Sequence, residues 1–181
     1  MLKNNEQGFG LVSKLLHWGL ALIIVTLIAV GLYMTGLEKE DPARLQIYGM
    51  HKAFGALVLL LTVARISWLI YSRPPVLPAV LQVWEQKLSL LAKGLLYLLS
   101  LAVPSSGYVM SNAAGYSVSL FGLCDLPVLV AKNEELAKLA NGAHGILAYI
   151  LIGVVLLHVA GALKHRLLDK DPAADVMKRM L

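Results

Sequence analysis

Apolar residues in this chain gather in four long blocks, about Leu15–Leu37, Gly49–Tyr71, Leu88–Ser111 and Ala143–Leu163. Each block holds ~20 residues, the length a helix needs to cross ~30 Å of hydrocarbon. None of them alternates apolar and polar positions as a strand would, and inside lipid only helices or closed barrels satisfy every backbone group. The pattern predicts an all-α integral membrane protein, a four-helix up-and-down bundle that forms a single transmembrane domain over residues 1–181. Pro104 falls inside the third block, where a kink is expected. The first apolar block is too long for the core of a cleavable signal and has no small-residue cleavage site after it, so it is read as a retained span.

The connections between the blocks differ in character. The first, Glu38–Tyr48, is short and acidic. The second, Ser72–Lys87, opens with Arg73-Pro74-Pro75 and contains Pro78 and Trp84. The third, Asn112–Gly142, is the longest; it is expected to carry a short amphipathic helix near Asn133–Leu139 and to lay Leu126-Pro127-Val128-Leu129-Val130 on the membrane.

Composition strengthens the membrane reading. Hydrophobic residues make up 58% of the chain and charged residues 15%, against ~45–50% and ~25% in soluble domains. So little polar surface cannot cover a water-soluble globule. A net charge of +5 raises nucleic acid as a partner, but the basic residues lie between apolar blocks and form no single face, so no nucleic-acid role is expected. Cys124 is the only cysteine, which excludes an intramolecular disulfide and is read as a small apolar filler. Of the 16 lysines and arginines, only Lys39, Arg44, Lys52, Lys132 and Lys138 fall on the side of the first and third connections. The remaining 11 lie with the two termini, so both termini are expected in the cytoplasm and the first and third connections in the periplasm or exterior.

All five histidines, His17, His51, His144, His158 and His165, lie inside spans or at their ends. Ionisable side chains at such depths suggest function, although any one of them could also be a polar group bonding across helices. Depth sorts four of them into pairs. His17 and His158 lie at the cytoplasmic level, and His51 and His144 at the outer level. The 14 residues between His144 and His158 on the last span separate them by roughly 21 Å and return them to nearly the same face. A neutral imidazole offers iron a nitrogen lone pair, and two of them fill both axial positions of a haem, which favours electron transfer over oxygen activation. Zinc needs about four convergent ligands, and each level offers two. Two haem b groups, one per leaflet, are the leading reading; isolated polar contacts and another metal are the alternatives. Small residues one turn from the ligands, Ala21, Gly55, Ala148 and Gly161, leave gaps against which a flat macrocycle can lie.

The segments Leu16-His17-Trp18 and Met50-His51-Lys52, with Arg65 downstream and then His144 and Leu157-His158 on the last span, resemble the bacterial cytochrome b561 family. The resemblance extends from about Lys14 to His165. It implies a four-helix bundle in the bacterial inner membrane holding two haem b groups, with His17 and His158 as ligands of the cytoplasmic-side haem and His51 and His144 of the external-side haem. It further implies one of two activities. Some members are superoxide oxidases, which pass electrons from superoxide at the outer surface through both haems to ubiquinone. Others are haem subunits that anchor a periplasmic dehydrogenase or hydrogenase. The chain departs from the family at Lys93, where a further third-span histidine is expected.

Three more residues are candidates at the cytoplasmic side. Arg65, embedded in an apolar block, and Lys93 are expected to meet haem propionates or quinone. His165, two turns beyond His158, is expected to contact quinone or donate a proton to it. On the outer side, Lys52 with Lys39 and Arg44 could draw superoxide inward, opposed by Glu38, Glu40 and Asp41. Trp18, Trp68 and Trp84 are read chiefly as interfacial anchors. No catalytic residue is assigned. The leading function is superoxide:ubiquinone oxidoreduction. An electron-transfer subunit fed by a periplasmic donor protein is second, and a non-redox four-span protein with structural or other-metal histidines third.

Overall fold

A computed structural model describes residues 1–38 and 40–181. Four helices account for most of the chain: α1 (Leu11–Thr35), α2 (Arg44–Tyr71), α3 (Val83–Ala113) and α4 (Glu134–Leu167). All four are long and apolar enough to cross a membrane. Large apolar side chains such as Leu22, Leu60, Leu98 and Leu156 project outward from them, as a lipid-facing surface requires. Every helix begins before its apolar block, and α3 and α4 also run past its end, whereas α2 stops with its block at Tyr71 and α1 stops at Thr35, short of Leu37.

The ends follow from local chemistry. At the start of α3, Gln82 and Glu85 form a reciprocal capping box, which satisfies backbone N–H groups that have no partner in the first turn. Asn133 caps α4 by accepting a hydrogen bond from the Leu136 N–H, and Glu134 and Glu135 follow in the positive first turn. Lys164, His165 and Arg166 sit in its negative last turn. The short amphipathic helix expected near Asn133–Leu139 is therefore not a separate element. It is the start of α4, because the helix begins at the Asn133 cap and propagates with no proline to stop it. α3 likewise runs through Pro104 as one helix.

Sequential helices are neighbours: α1 packs on α2, α2 on α3 and α3 on α4. Among the described residues, α4 lies closely along α3 but not along α1 or α2. The bundle is therefore open on the side where α4 faces the first two helices. Both termini gather at one end of the bundle, the terminal end, together with the α2–α3 connection. The α1–α2 and α3–α4 connections occupy the opposite loop end.

The terminal end is stitched together by polar contacts. Asn4 accepts from the Gly10 N–H and the Ser13 hydroxyl and donates to the Ser72 carbonyl. The Arg179 guanidinium donates to the carbonyls of Glu6, Gln7 and Val76, and the Trp18 indole donates to Met180 O. At the loop end the long connection folds as a short hairpin of two-residue strands, β1 (Ser119–Leu120) against β2 (Cys124–Asp125). Its turn places Phe121 at φ 56° and Gly122 at φ 73°. A left-handed aromatic residue is strained, and the Phe121 ring packs edge-on against Phe54 of α2 with centroids 4.9 Å apart. The apolar side chains of Leu123, Val128 and Leu129 on this connection are exposed.

Candidate functional site

The histidines paired by depth are paired in space. His17 of α1 and His158 of α4 have ring centroids 6.3 Å apart, at the terminal end. His51 of α2 and His144 of α4 have centroids 6.4 Å apart, at the loop end. Both pairs reach across the open side of the bundle, from α4 to the two helices along which it does not pack. Among the described residues, no third His, Cys, Asp or Glu completes a metal-binding group with either pair.

These distances can be compared with those a shared metal requires. A metal held in line between two imidazoles, at the ~2.0–2.1 Å typical of histidine nitrogen ligation, sets the ring centroids about 6.3–6.5 Å apart. Both pairs stand at that separation. The environment of the rings agrees. His144 Nδ1 lies 2.9 Å from the carbonyl of Val103, the residue before Pro104. A carbonyl only accepts, so Nδ1 carries the proton and the Nε2 lone pair is free. His51 Nδ1 is buried with no hydrogen-bond partner among the described residues, an arrangement that is costly unless something else engages the ring. Gly55 and Gly161, one turn from ligand positions, have open space where a side chain would begin. The loop-end residues therefore fit a haem in spacing and surroundings, and the terminal-end pair fits one in spacing.

Two glycines seat the loop-end rings, and sequence reasoning missed both. A Cβ on Gly107 would lie 3.1 Å from His144 Cε1 and 3.2 Å from its Nδ1. A Cβ on Gly31 would lie 3.4 Å from His51 Cε1. The signal was present in the sequence: a glycine inside a helix costs about 0.5–1 kcal/mol relative to alanine, so its retention asks for a packing reason. Gly31 also lies 14 residues after His17, the same spacing that joins His144 to His158.

The remaining candidates are also located. The Arg65 guanidinium donates to His17 Nδ1 at 2.9 Å and lies over the Tyr97 ring, 5.3 Å from its centroid. Arg65 and Tyr97 line a small cavity with Asn4, Ser13, Trp68 and Met180. Lys93 lies on α3, one helical turn before Tyr97. His165 is mostly buried, and its Nδ1 is 2.6 Å from Asp169 Oδ2. Asp169 also pairs with Lys164 at 2.9 Å, and Lys164 reaches Glu85 of α3 at 2.5 Å. This chain of charges clamps the two helix ends together. Hydrogen bonds from Lys164 and then from His165 hold the Asp169 carboxyl below the usual range.

At the loop end, the Lys52 ammonium donates to the Ser111 hydroxyl at 3.3 Å and the Ser117 carbonyl at 3.1 Å. Arg44 lies over the Tyr48 ring. Lys39, the third member of the expected cationic group, lies outside the described residues. The tryptophans expected as anchors carry specific bonds as well, Trp18 to Met180 O and Trp68 to the Ser13 hydroxyl.

Residues 8–180 match the family model described as prokaryotic cytochrome b561. The chain belongs to the prokaryotic cytochrome b561 family. It is similar to cytochrome b561 homolog 2 of Escherichia coli K12, with 35% identity over 98% of this chain and 93% of that protein. It is also similar to cytochrome b561 homolog 1 of the same organism, with 28% identity over 86% of this chain and 88% of that protein. Membership makes the chain a multi-pass membrane electron-transfer protein with haem b as its cofactor, and the non-redox reading falls.

Proposed function

We propose that the chain is a superoxide:ubiquinone oxidoreductase that holds two haem b groups, one between His17 and His158 and one between His51 and His144. The observation that carries this reading is the pair of imidazole separations, 6.3 and 6.4 Å, stacked along one shared helix. When bound, haem b supplies a reversible one-electron couple at each level. The protein's part would be to hold both couples, His144 and His158 doing so from α4 and His51 and His17 from the helices that face it. Two superoxide anions surrender one electron each on the periplasmic side and leave as two O₂. One ubiquinone takes up the two electrons and two protons on the cytoplasmic side and becomes ubiquinol.

The surrounding residues suit those roles. With the termini in the cytoplasm, Lys52 and Arg44 supply positive charge at the face superoxide approaches. Arg65 and Lys93 are the cations available to haem propionates or to quinone at the opposite level. His165 is the group that delivers a proton toward quinone, and Asp169 fixes its orientation through Nδ1. Mixing the purified, oxidised protein with superoxide should reduce both haems, and added ubiquinone should reoxidise them. No reduction by superoxide would reject the reading.

The exposed apolar residues Leu123, Val128 and Leu129 at the loop end favour a second reading. In it the chain is the haem b anchor of a periplasmic dehydrogenase or hydrogenase, which docks on that connection and feeds electrons to the outer pair. That subunit would then replace superoxide as the reductant in the same mixing experiment.

A further inference from the structure

The segment before α1, the start of α1 and the residues from Lys178 onward enclose an open groove of about 670 Å³ at the terminal end. That lies within the ~300–1,000 Å³ typical of small-ligand sites. Three lysines line the groove, Lys3, Lys14 and Lys178, and no carboxylate side chain does. Among the described residues, none of the three makes an ion pair. Lys3 lies over the Tyr71 ring at 4.3 Å, which leaves its N–H groups to donate elsewhere. Positive charge gathered on one groove with no counter-charge in its lining attracts an anion. The walls are held in place beforehand. The Phe9 N–H donates to the Arg179 carbonyl and the Leu11 N–H to the Met1 carbonyl, and the Arg179 guanidinium is committed to the carbonyls of Glu6, Gln7 and Val76. A groove ordered in this way spends little entropy on ordering when it binds.

The same groove is apolar on one side, where Phe9 and Leu11 line it. From Leu11 the exposed side chains of Leu15, Trp18, Leu22 and Val25 continue along α1. Their intervals of four, three, four and three residues keep them on one face of the helix. The 14 residues from Leu11 to Val25 (25 − 11 = 14) rise roughly 21 Å, more than the ~15 Å that is half the hydrocarbon thickness. A ligand that fits both parts has an anionic head in the groove and an apolar tail along this stripe.

We infer that the groove is a binding site for an anionic phospholipid, with the phosphate held by Lys3, Lys14 and Lys178 and an acyl chain lying on the Leu11–Val25 stripe of α1. A free phosphate makes no use of the stripe, and a zwitterionic lipid brings a cation of its own among the lysines. The site requires neither haem nor quinone. Because its lysines come from the segment before α1, from α1 and from the segment after α4, the bound lipid fastens the two ends of the chain to each other.

The purified, delipidated full chain in detergent, titrated with phosphatidylglycerol or with phosphatidylcholine of the same acyl chains and read by native mass spectrometry, tests this. Phosphatidylglycerol should bind more than about tenfold tighter, since each lysine at a membrane surface adds roughly fivefold to the attraction of an anionic lipid. Lys3→Gln, Lys14→Gln and Lys178→Gln combined should abolish the preference, and arginine at the same three positions should keep it. Lys87→Gln, Lys132→Gln and Lys138→Gln combined remove the same charge away from the groove and should leave the preference intact. Equal binding of the two lipids by the wild type would overturn the site. So would an equal loss in both glutamine variants, which would mean diffuse attraction to net charge. Glycerol phosphate that displaces the lipid at equal concentration would overturn the lipid assignment in favour of a small-anion site. Should the groove variant fail to fold, Lys14→Gln and Lys178→Gln singly should each lower the preference by about fivefold, and no loss in either would overturn the proposal.

Discussion

The terminal end and the loop end of this bundle carry histidine pairs of almost the same spacing inside very different surroundings. At the terminal end, fixed charges and interlocked chain ends surround the pair: Arg65 on His17, the Glu85–Lys164–Asp169–His165 chain on α3 and α4, and Asn4 and Arg179 joining the termini to the α2–α3 connection. At the loop end, the pair is held by uncharged features: a carbonyl on His144, glycines against both rings, and a hairpin anchored by Phe121 on Phe54. The spacing within each pair is set by the helices, and the chemistry around it by what the helix ends and connections bring. One spacing is therefore kept in two different electrostatic surroundings.

The comparison is broken most decisively by removing ligands. His51→Ala and His144→Ala should each lose the same haem, and His17→Ala and His158→Ala the other, so that each single variant retains about half the wild-type haem in a pyridine haemochrome assay. Different haems lost within one couple would show that the pairs do not act as pairs.

A subtler change should act at one end alone. Gly107→Ala places a methyl group 3.1 Å from the His144 ring, and overpacking of this kind typically costs about 1–3 kcal/mol. The expected outcome is weaker retention of the loop-end haem on heating, with the terminal-end haem lost at its usual temperature. Equal weakening of both would mean that the ends are mechanically coupled. Gly31→Ala, at 3.4 Å from His51, should have the smaller effect.

The smallest effect concerns the charged clamp. Asp169 has a lowered pKa in the folded protein, so its contacts stabilise the fold above the ordinary carboxyl pKa of ~3.9. That contribution is lost as pH falls through the folded value. Thermal unfolding of the wild type should weaken below about pH 4, and Asp169→Asn should lose this part of the acid dependence while keeping its loop-end haem. A variant with an unchanged acid limb would show that the clamp carries no stability.

Much of this was legible in the sequence. The four spans follow from length and apolarity alone, and the pairing of His17 with His158 and His51 with His144 follows from depth, because helix rise is fixed. The features that escaped belong to contacts between distant segments. Nothing local to Gly107 announces His144, 37 residues later. Arg179 bridging to Glu6, Gln7 and Val76 depends on where two termini and a connection happen to meet. The start of α4 was misread as a separate helix because the polar turns before Ala143 end the apolar block without ending the helix. Hydropathy marks the membrane boundary, whereas capping marks the helix boundary, and in α4 the two are separated by two turns or more.

The use of α4 by both pairs also constrains how this protein can evolve. A single residue inserted or deleted between His144 and His158 would turn one imidazole relative to the other by about 100° and remove one of them from its partner. Loops in the same chain can lengthen freely, whereas this stretch can change in composition but not in length. Among relatives that keep both pairs, it should be free of gaps even where few of its residues are shared.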